Sequence, residues 1–277
     1  MFAVRVGDYA FWLFSVSVLC FGLERAFAWR RDQKVLRQGF GQDIFWLIFH
    51  GHVLGIITWQ VSSWISQRYP VPFYSNLKAA AESAALIRQL PLLAQFALLL
   101  VVKDFLDWCT HNLLHRVPVL WQFHKVHHSI EELDFLGNFR FHWGEITVYW
   151  FVTSLPIAAL GVIDGRVWMT VAVFSTLIGH LNHSNLPISW GPLRYVFNSP
   201  KMHVWHHERL ERAGHGKNFG VVFSVWDWIF RTASMPEGQP ARLGFEGLED
   251  FPRSLAGRFF WPLTALGRRT RSIAQPK

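Results

Sequence analysis

The chain has 277 residues, of which 51% are apolar, 16% aromatic and only 17% charged, against about 25% charged for an ordinary soluble domain. This excludes low-complexity disorder, collagen and a disulfide scaffold, and the two cysteines, Cys20 and Cys109, sit in apolar stretches and read as free thiols. The net charge of +8 comes from basic residues that bracket apolar runs, so a membrane is expected as the partner surface and nucleic acid is not.

A window of about 20 residues, the length that crosses a bilayer, gives candidate spans at Tyr9–Ala28, Asp43–Ile65, Leu90–Leu106, Ile146–Ile163 and Val167–His183. The third has charged residues at both ends, Arg88 on one side and Lys103 and Asp104 on the other. Asp164-Gly165 turns the fourth span into the fifth, so these two are expected as a hairpin that either crosses or dips deeply. A cleaved signal peptide would carry its positive charge before the apolar run. Here Arg25, Arg30, Arg31, Lys34 and Arg37 follow it, which predicts an uncleaved span ending in the cytoplasm. Alternation then places His111–Gly144 and everything after Ser184 on the cytoplasmic side. The tail, with Phe245, Leu248, Phe251, Phe259 and Phe260 among arginines, reads equally as an interfacial segment or a cytosolic cap. Three regions are expected: 1–90 with the first spans, 91–235 with the chemistry, and 236–277 as the tail. The predicted fold class is all-α, a multi-pass membrane protein whose cytosolic helical cap holds a histidine-rich dimetal site.

Twelve of the fourteen histidines lie between His111 and His215, and they are grouped. His111 and His115 form H-x3-H; His124, His127 and His128 form H-x2-HH; His180 and His183 form H-x2-H; His203, His206 and His207 form a second H-x2-HH. On a helix, residues four apart share a face, so His111 with His115, and His124 with His128, can each meet one ion. The middle histidine of H-x2-HH lies about 100° round the helix and is placed to reach a neighbouring ion. Ten imidazoles in four clusters on one side of a membrane predict a two-metal centre, with Asp107 and Asp104 placed to accept a ring N–H behind His111. A zinc peptidase needs H-E-x-x-H, but Glu211 stands where the second histidine would be. Ferritin-like E-x-x-H pairs are also lacking.

Asp107-Trp108 before His111 and His115, the run from Leu120-Trp121 to His128-Ser129, and His203-x2-His206-His207 resemble the fatty acid hydroxylase/sterol desaturase superfamily. Asn218-Phe219-Gly220 and Trp226-Asp227-x2-Phe230 resemble its closing motifs. The resemblance covers about residues 95–235. It implies a membrane-embedded, non-haem di-iron oxidoreductase that hydroxylates or desaturates a lipid with O2 as co-substrate. Zinc is an expected occupant of purified or resting forms. The implied catalytic ligands are His111, His115, His124, His127, His128, His203, His206 and His207, with His180 and His183 completing the metal set. Asp107, Asp227 and His142 are expected as supports behind the ligands. Asn138-x-Arg140-x-His142-x2-Glu145 resembles a positioning segment. Asp227, flanked by two tryptophans, needs a partner, with a histidine N–H or Arg231 as the candidates. His50 and His52 are expected within the second span, and His215 in a loop.

No Rossmann glycine fingerprint or C-x-x-C-H haem motif appears, so electrons are expected from a separate carrier, a ferredoxin or cytochrome b5. The expected location is an integral membrane position, multi-pass, with the site on the cytoplasmic side of a bacterial inner membrane. The alternatives are a histidine-rich metal-binding or metal-transport protein, whose histidines would line a path through the spans, and a haem protein with axial histidines on facing helices.

Overall fold

A computed structural model describes residues 8–54, 60, 85–154, 157, 164–209 and 216–265. Helix α1 spans Tyr9–Ala26 and α2 Phe40–Ile48, the latter running on as a π-turn, Phe49–Leu54. After a single turn at Ala85–Arg88 come α3, Leu92–Arg116, and α4, Pro118–His128. A 3-10 turn at Phe135–Phe139 leads to α5, Trp143–Tyr149, which continues as the π-turn Trp150–Ser154. Then follow α6, Gly165–His183, a 3-10 turn at Gly191–Tyr195, α7, Pro200–His206, α8, Val225–Ile229, and α9, Leu255–Phe259. The described residues form no strand, only two isolated β-bridges, so they are all-α.

Among the described residues one helix, α1, is long and apolar enough to cross a membrane. The candidate spans Leu90–Leu106 and Val167–His183 fall almost wholly within α3 and α6, but Lys103, Asp104 and Asp107 make α3 far less apolar than α1. The spans Asp43–Ile65 and Ile146–Ile163 run partly outside the described residues.

Local sequence explains how the helices meet. Pro118 forces Val117 into an extended conformation (φ −91°, ψ 114°) and then starts α4 at the position where a missing N–H costs nothing. The resulting corner folds α4 back on α3, so that two histidine-bearing helices face one another. Ser199 caps α7 by accepting the Met202 N–H, with Pro200 as its first residue. Asp164 caps α6 through the Arg166 N–H.

α1, α6 and the Phe135–Phe139 turn share an apolar core of Val16, Cys20, Phe135, Leu136, Val171, Ile178 and Leu181. Glu24 of α1 is buried and accepts the backbone N–H groups of Phe135 and Asn185, which ties α1 to the segment just beyond His183. A second cluster joins Trp46 of α2 and Val126 of α4 to Phe245, Leu248 and Phe251. These tail residues are therefore packed inward as a cap over α2 and α4. Beneath it, Arg37 bridges Asp43 and Asp134, while Arg140 grips Asp43 with two nitrogens, all four side chains being buried.

Candidate metal centre

Nine imidazoles from four helices converge in the interior. His111 and His115 of α3, His124 and His128 of α4 and His206 of α7 form one group. His127 of α4, His183 of α6, His203 of α7 and His207 just after it form another. Within each group the potential ligand nitrogens all lie within 4.8 Å of one another. Helical phase divides them: His124 and His128 face the first group while His127, about 100° away, faces the second. α7 mirrors this, with His203 and His207 in the second group and His206 in the first. The groups abut where the His128 and His207 rings stack at 4.7 Å.

The hydrogen bonds fix which nitrogen each ring turns inward. His127 donates its Nδ1–H to the Arg140 carbonyl, and His183 donates its own to the Gly179 carbonyl. Carbonyls only accept, so in the neutral rings both Nε2 atoms are bare lone pairs. They face each other at 3.3 Å, a repulsive arrangement unless a cation lies between them. Burial pushes the pKa of His127 well below the usual 6.5, so protonation does not supply that cation. His111 and His206 repeat the pattern, donating Nδ1–H to the carbonyls of Phe219 and Lys217. Burial lowers the His111 pKa to about 4 and holds those of His115, His124, His128, His203, His206 and His207 well below the usual value.

The spacing suits metal ligation. Facing Nε2 atoms in the two groups lie 3.1–3.3 Å apart. Nitrogens about 2.1 Å from a shared ion would subtend roughly 95–105° at that spacing. An all-imidazole donor set suits Fe, Zn, Cu or Ni. Trp121 lies over His115 and His128, Phe141 stacks on His127, and Phe219 lies against His111 and His115. These rings form an apolar wall that limits water at the ligands.

Residues 96–232 match the family model for fatty acid hydroxylase. The chain belongs to the fatty acid hydroxylase/sterol desaturase superfamily. The ornithine lipid hydroxylase OlsE of Rhizobium tropici is 31% identical over 190 residues, which cover 68% of this chain and 56% of that protein. Alkylglycerol monooxygenase of Homo sapiens is 31% identical over 129 residues, 47% of this chain and 28% of that protein. Methylsterol monooxygenase 2-2 of Arabidopsis thaliana is 28% identical over 142 residues, 50% of this chain and 52% of that protein. The chain thus spans from about a quarter to somewhat over half the length of these relatives. No solved structure matches it.

Of the ten histidines that the sequence assigned to metal, nine gather and His180 stands apart. Ser17 donates its hydroxyl to the Leu13 carbonyl and so accepts the His180 Nε2–H, while Asn138 donates to His180 Nδ1. Both ring nitrogens are occupied, and no lone pair is left for an ion. The three-residue step from His183 turns this ring away from the second group and toward α1.

The supporting residues also differ from the sequence expectation. Asp107 pairs with Lys103, one turn earlier on α3, because that ammonium is the nearer cation. His142 meets neither group: it caps α5 by accepting the Gly144 N–H and donates Nε2–H to the Phe259 carbonyl. Asp227 takes neither a histidine N–H nor Arg231, but accepts from the Phe219 and Gly220 N–H groups, the Trp108 indole and the Thr232 hydroxyl. His50 donates to the Phe141 carbonyl and thereby steadies the ring on His127. His52 lies in the π-turn after α2, and His215 lies outside the described residues.

Two partnerships escaped the sequence reading. Glu145, which the sequence placed in a positioning segment without a partner, is fully buried and accepts the His124 Nδ1–H at 2.7 Å. The loop Lys217–Phe223, of which the sequence singled out only Asn218-Phe219-Gly220, supplies the other. Its carbonyls receive His206 and His111, while its N–H groups go to Asp227 at positions 219 and 220 and to Asp104 at 222 and 223. Gly220 permits this close approach, since a Cβ there would lie 2.3 Å from the Phe223 carbonyl oxygen.

Proposed function

We propose that this chain is a di-iron lipid hydroxylase that uses O2 and a separate electron donor to convert a C–H bond of a membrane lipid into an alcohol. The observation that carries the reading is the pair of bare imidazole nitrogens at the His127–His183 contact, repeated around both groups, within a domain whose relatives are named as lipid hydroxylases and monooxygenases. Iron bound there would supply the activation of O2, with the overall balance of substrate C–H, O2, two electrons and two protons giving alcohol and water.

The protein's own residues hold the ligands in place. Backbone carbonyls orient His111, His127, His183 and His206, and Glu145 orients His124. The wall of Trp121, Phe141 and Phe219 limits water and favours oxidation of an apolar chain. The names of the relatives favour hydroxylation over desaturation. A substrate with a long alkyl or acyl chain, in an ornithine-lipid-like or ether-lipid-like frame, fits that set. The excess of basic residues supports docking of an acidic carrier such as a ferredoxin or cytochrome b5, and α1 supports an integral membrane location with the site on the cytoplasmic side. Transport is disfavoured because the nine histidines form one compact centre rather than a path.

Membranes containing the protein, incubated with a reductant system, a lipid library and 18O2, should yield a product heavier by one 18O atom. His127→Ala should abolish it. Product formation unaffected by that substitution would reject the site, and uptake of metal into vesicles without any product would favour transport.

A further inference from the structure

A surface apart from the metal centre carries large apolar side chains that stay exposed among the described residues. On the Gly191–Tyr195 turn and the residue after it, Leu193, Tyr195 and Val196 are exposed. On α8 and at its end, Trp228, Ile229 and Phe230 are exposed, Ile229 at 60% and Phe230 at 51%. The Tyr195 and Trp228 rings meet at 4.9 Å, and the Trp228 indole donates to the Arg194 carbonyl, so the two segments form one patch. The basic residues beside it are Arg194, whose guanidinium covers Tyr195, and the exposed Arg231. The adjoining acid, Asp227, is buried with its oxygens occupied.

We propose that this patch is a shelf seated in the headgroup layer of an anionic bilayer. It rests on the membrane reading given above and extends it to a named surface. Phe230 stacks on Trp108 at 4.7 Å and meets Phe105 at 6.3 Å, while Trp226 meets Phe105 at 5.0 Å. Phe105 and Trp108 flank Leu106, the cytoplasmic end of the candidate span in α3. The exposed residues Leu98 and Val102 carry an apolar stripe up α3 to that point. The patch therefore continues the lipid-facing side of α3 at headgroup depth. Its composition suits that depth, because Trp and Tyr concentrate at the membrane interface and arginine attracts anionic headgroups. Exposed patches of this kind mark interaction surfaces, and a helix as short as α8 gains its outer contacts from the surface on which it lies. The opposite side of α8 carries Asp227, so seating the shelf also fixes the loop that orients His111.

The test uses the full-length, metal-loaded protein with Cys20→Ala and Cys109→Ala, in nanodiscs of phosphatidylethanolamine and phosphatidylglycerol. An environment-sensitive fluorophore is attached at Ile229→Cys, at Phe14→Cys on the exposed side of α1, or at Glu249→Cys as an aqueous control. The shelf is supported if the Ile229→Cys label is blue-shifted relative to the control, is quenched by lipids with a shallow nitroxide and is protected from iodide. It is overturned if that label behaves like the Glu249→Cys control while Phe14→Cys is quenched by lipid nitroxides; the membrane reading then survives alone. If neither label senses lipid, both readings fall. Label-to-label crosslinking between two copies through Ile229→Cys, with no lipid quenching, would assign the patch to self-association instead. Metal content equal to that of the unlabelled protein confirms that each variant folds.

Discussion

Asp227 and His111 grip the same peptide unit from opposite ends: the carboxylate accepts the Gly220 N–H at 2.8 Å, and the imidazole donates to the Phe219 carbonyl at 2.8 Å. The ring's orientation is therefore set by an acid that never touches it. Asp227→Asn offers an amide NH2 group close to where the Phe219, Gly220 and Trp108 donors already point, so at least one bond is lost or reversed. Supports of this kind behind a ligand typically contribute 10–100-fold in metal affinity. Affinity at the five-histidine group should fall by about that factor, with the four-histidine group much less affected. Metal titration of the apoprotein with two resolved sites measures both.

Glu145 provides a graded test on the other side of the same group. Glu145→Gln keeps an oxygen that can accept the His124 Nδ1–H, whereas Glu145→Ala leaves that buried N–H without an acceptor. The expected order of metal affinity is wild type, then Gln, then Ala, with Ala lower by about 10–100-fold. Equal losses in both variants would show that the charge of Glu145, rather than its hydrogen bond, matters.

Chelation should unfold the centre from within. Nine imidazoles, eight of them buried, facing one another through bare nitrogens are stabilised only when a cation is bound. A metal present at 100 times its Kd adds about 2.7 kcal/mol per site, so stripping both ions should lower Tm by several degrees, and Fe(II) or Zn(II) should restore it. Differential scanning calorimetry with and without chelator reads this directly.

The buried charges beneath the tail support the second group. Arg140, whose carbonyl receives His127, is held by Asp43, which also binds Arg37. Asp43→Asn would leave two buried guanidiniums without their shared carboxylate, a change that typically costs about 3–5 kcal/mol. Denaturant unfolding of the metal-free protein should report a loss of that order, without change at Glu145 or Asp227.

Local rules made much of this legible, and long-range ones set the remainder. The H-x2-HH spacing divides the ligands between two groups through helical phase alone, so His124, His127 and His128 separate without any knowledge of the fold. The partners of the carboxylates were not legible, because they come from distant segments: Asp104 meets Val222, Asp227 meets Trp108, and Glu145 meets His124. Sequence proximity suggested Asp107 behind His111, but Lys103 is as close along the helix and carries the complementary charge. The inward packing of the tail rests on contacts of Phe245 and Phe251 with residues over a hundred positions earlier, which hydrophobicity alone left equally open to a membrane surface.

His180 and His183 separate a polar anchor from a ligand on one helix. His180 spends both ring nitrogens on Ser17 and Asn138, whereas His183 turns a bare Nε2 toward His127 and His203. His183→Ala should remove one of four ligands and release the metal of the second group, leaving a stoichiometry near one ion per chain. His180→Gln should retain both ions, since glutamine also offers a donor and an acceptor to the two partners, and its effect should appear as a modest loss of stability where α1 meets α6. Inductively coupled plasma measurement of bound metal in the two purified variants decides the matter. Loss of an ion from His180→Gln at unchanged Tm would show that this histidine turns to ligate in the loaded protein.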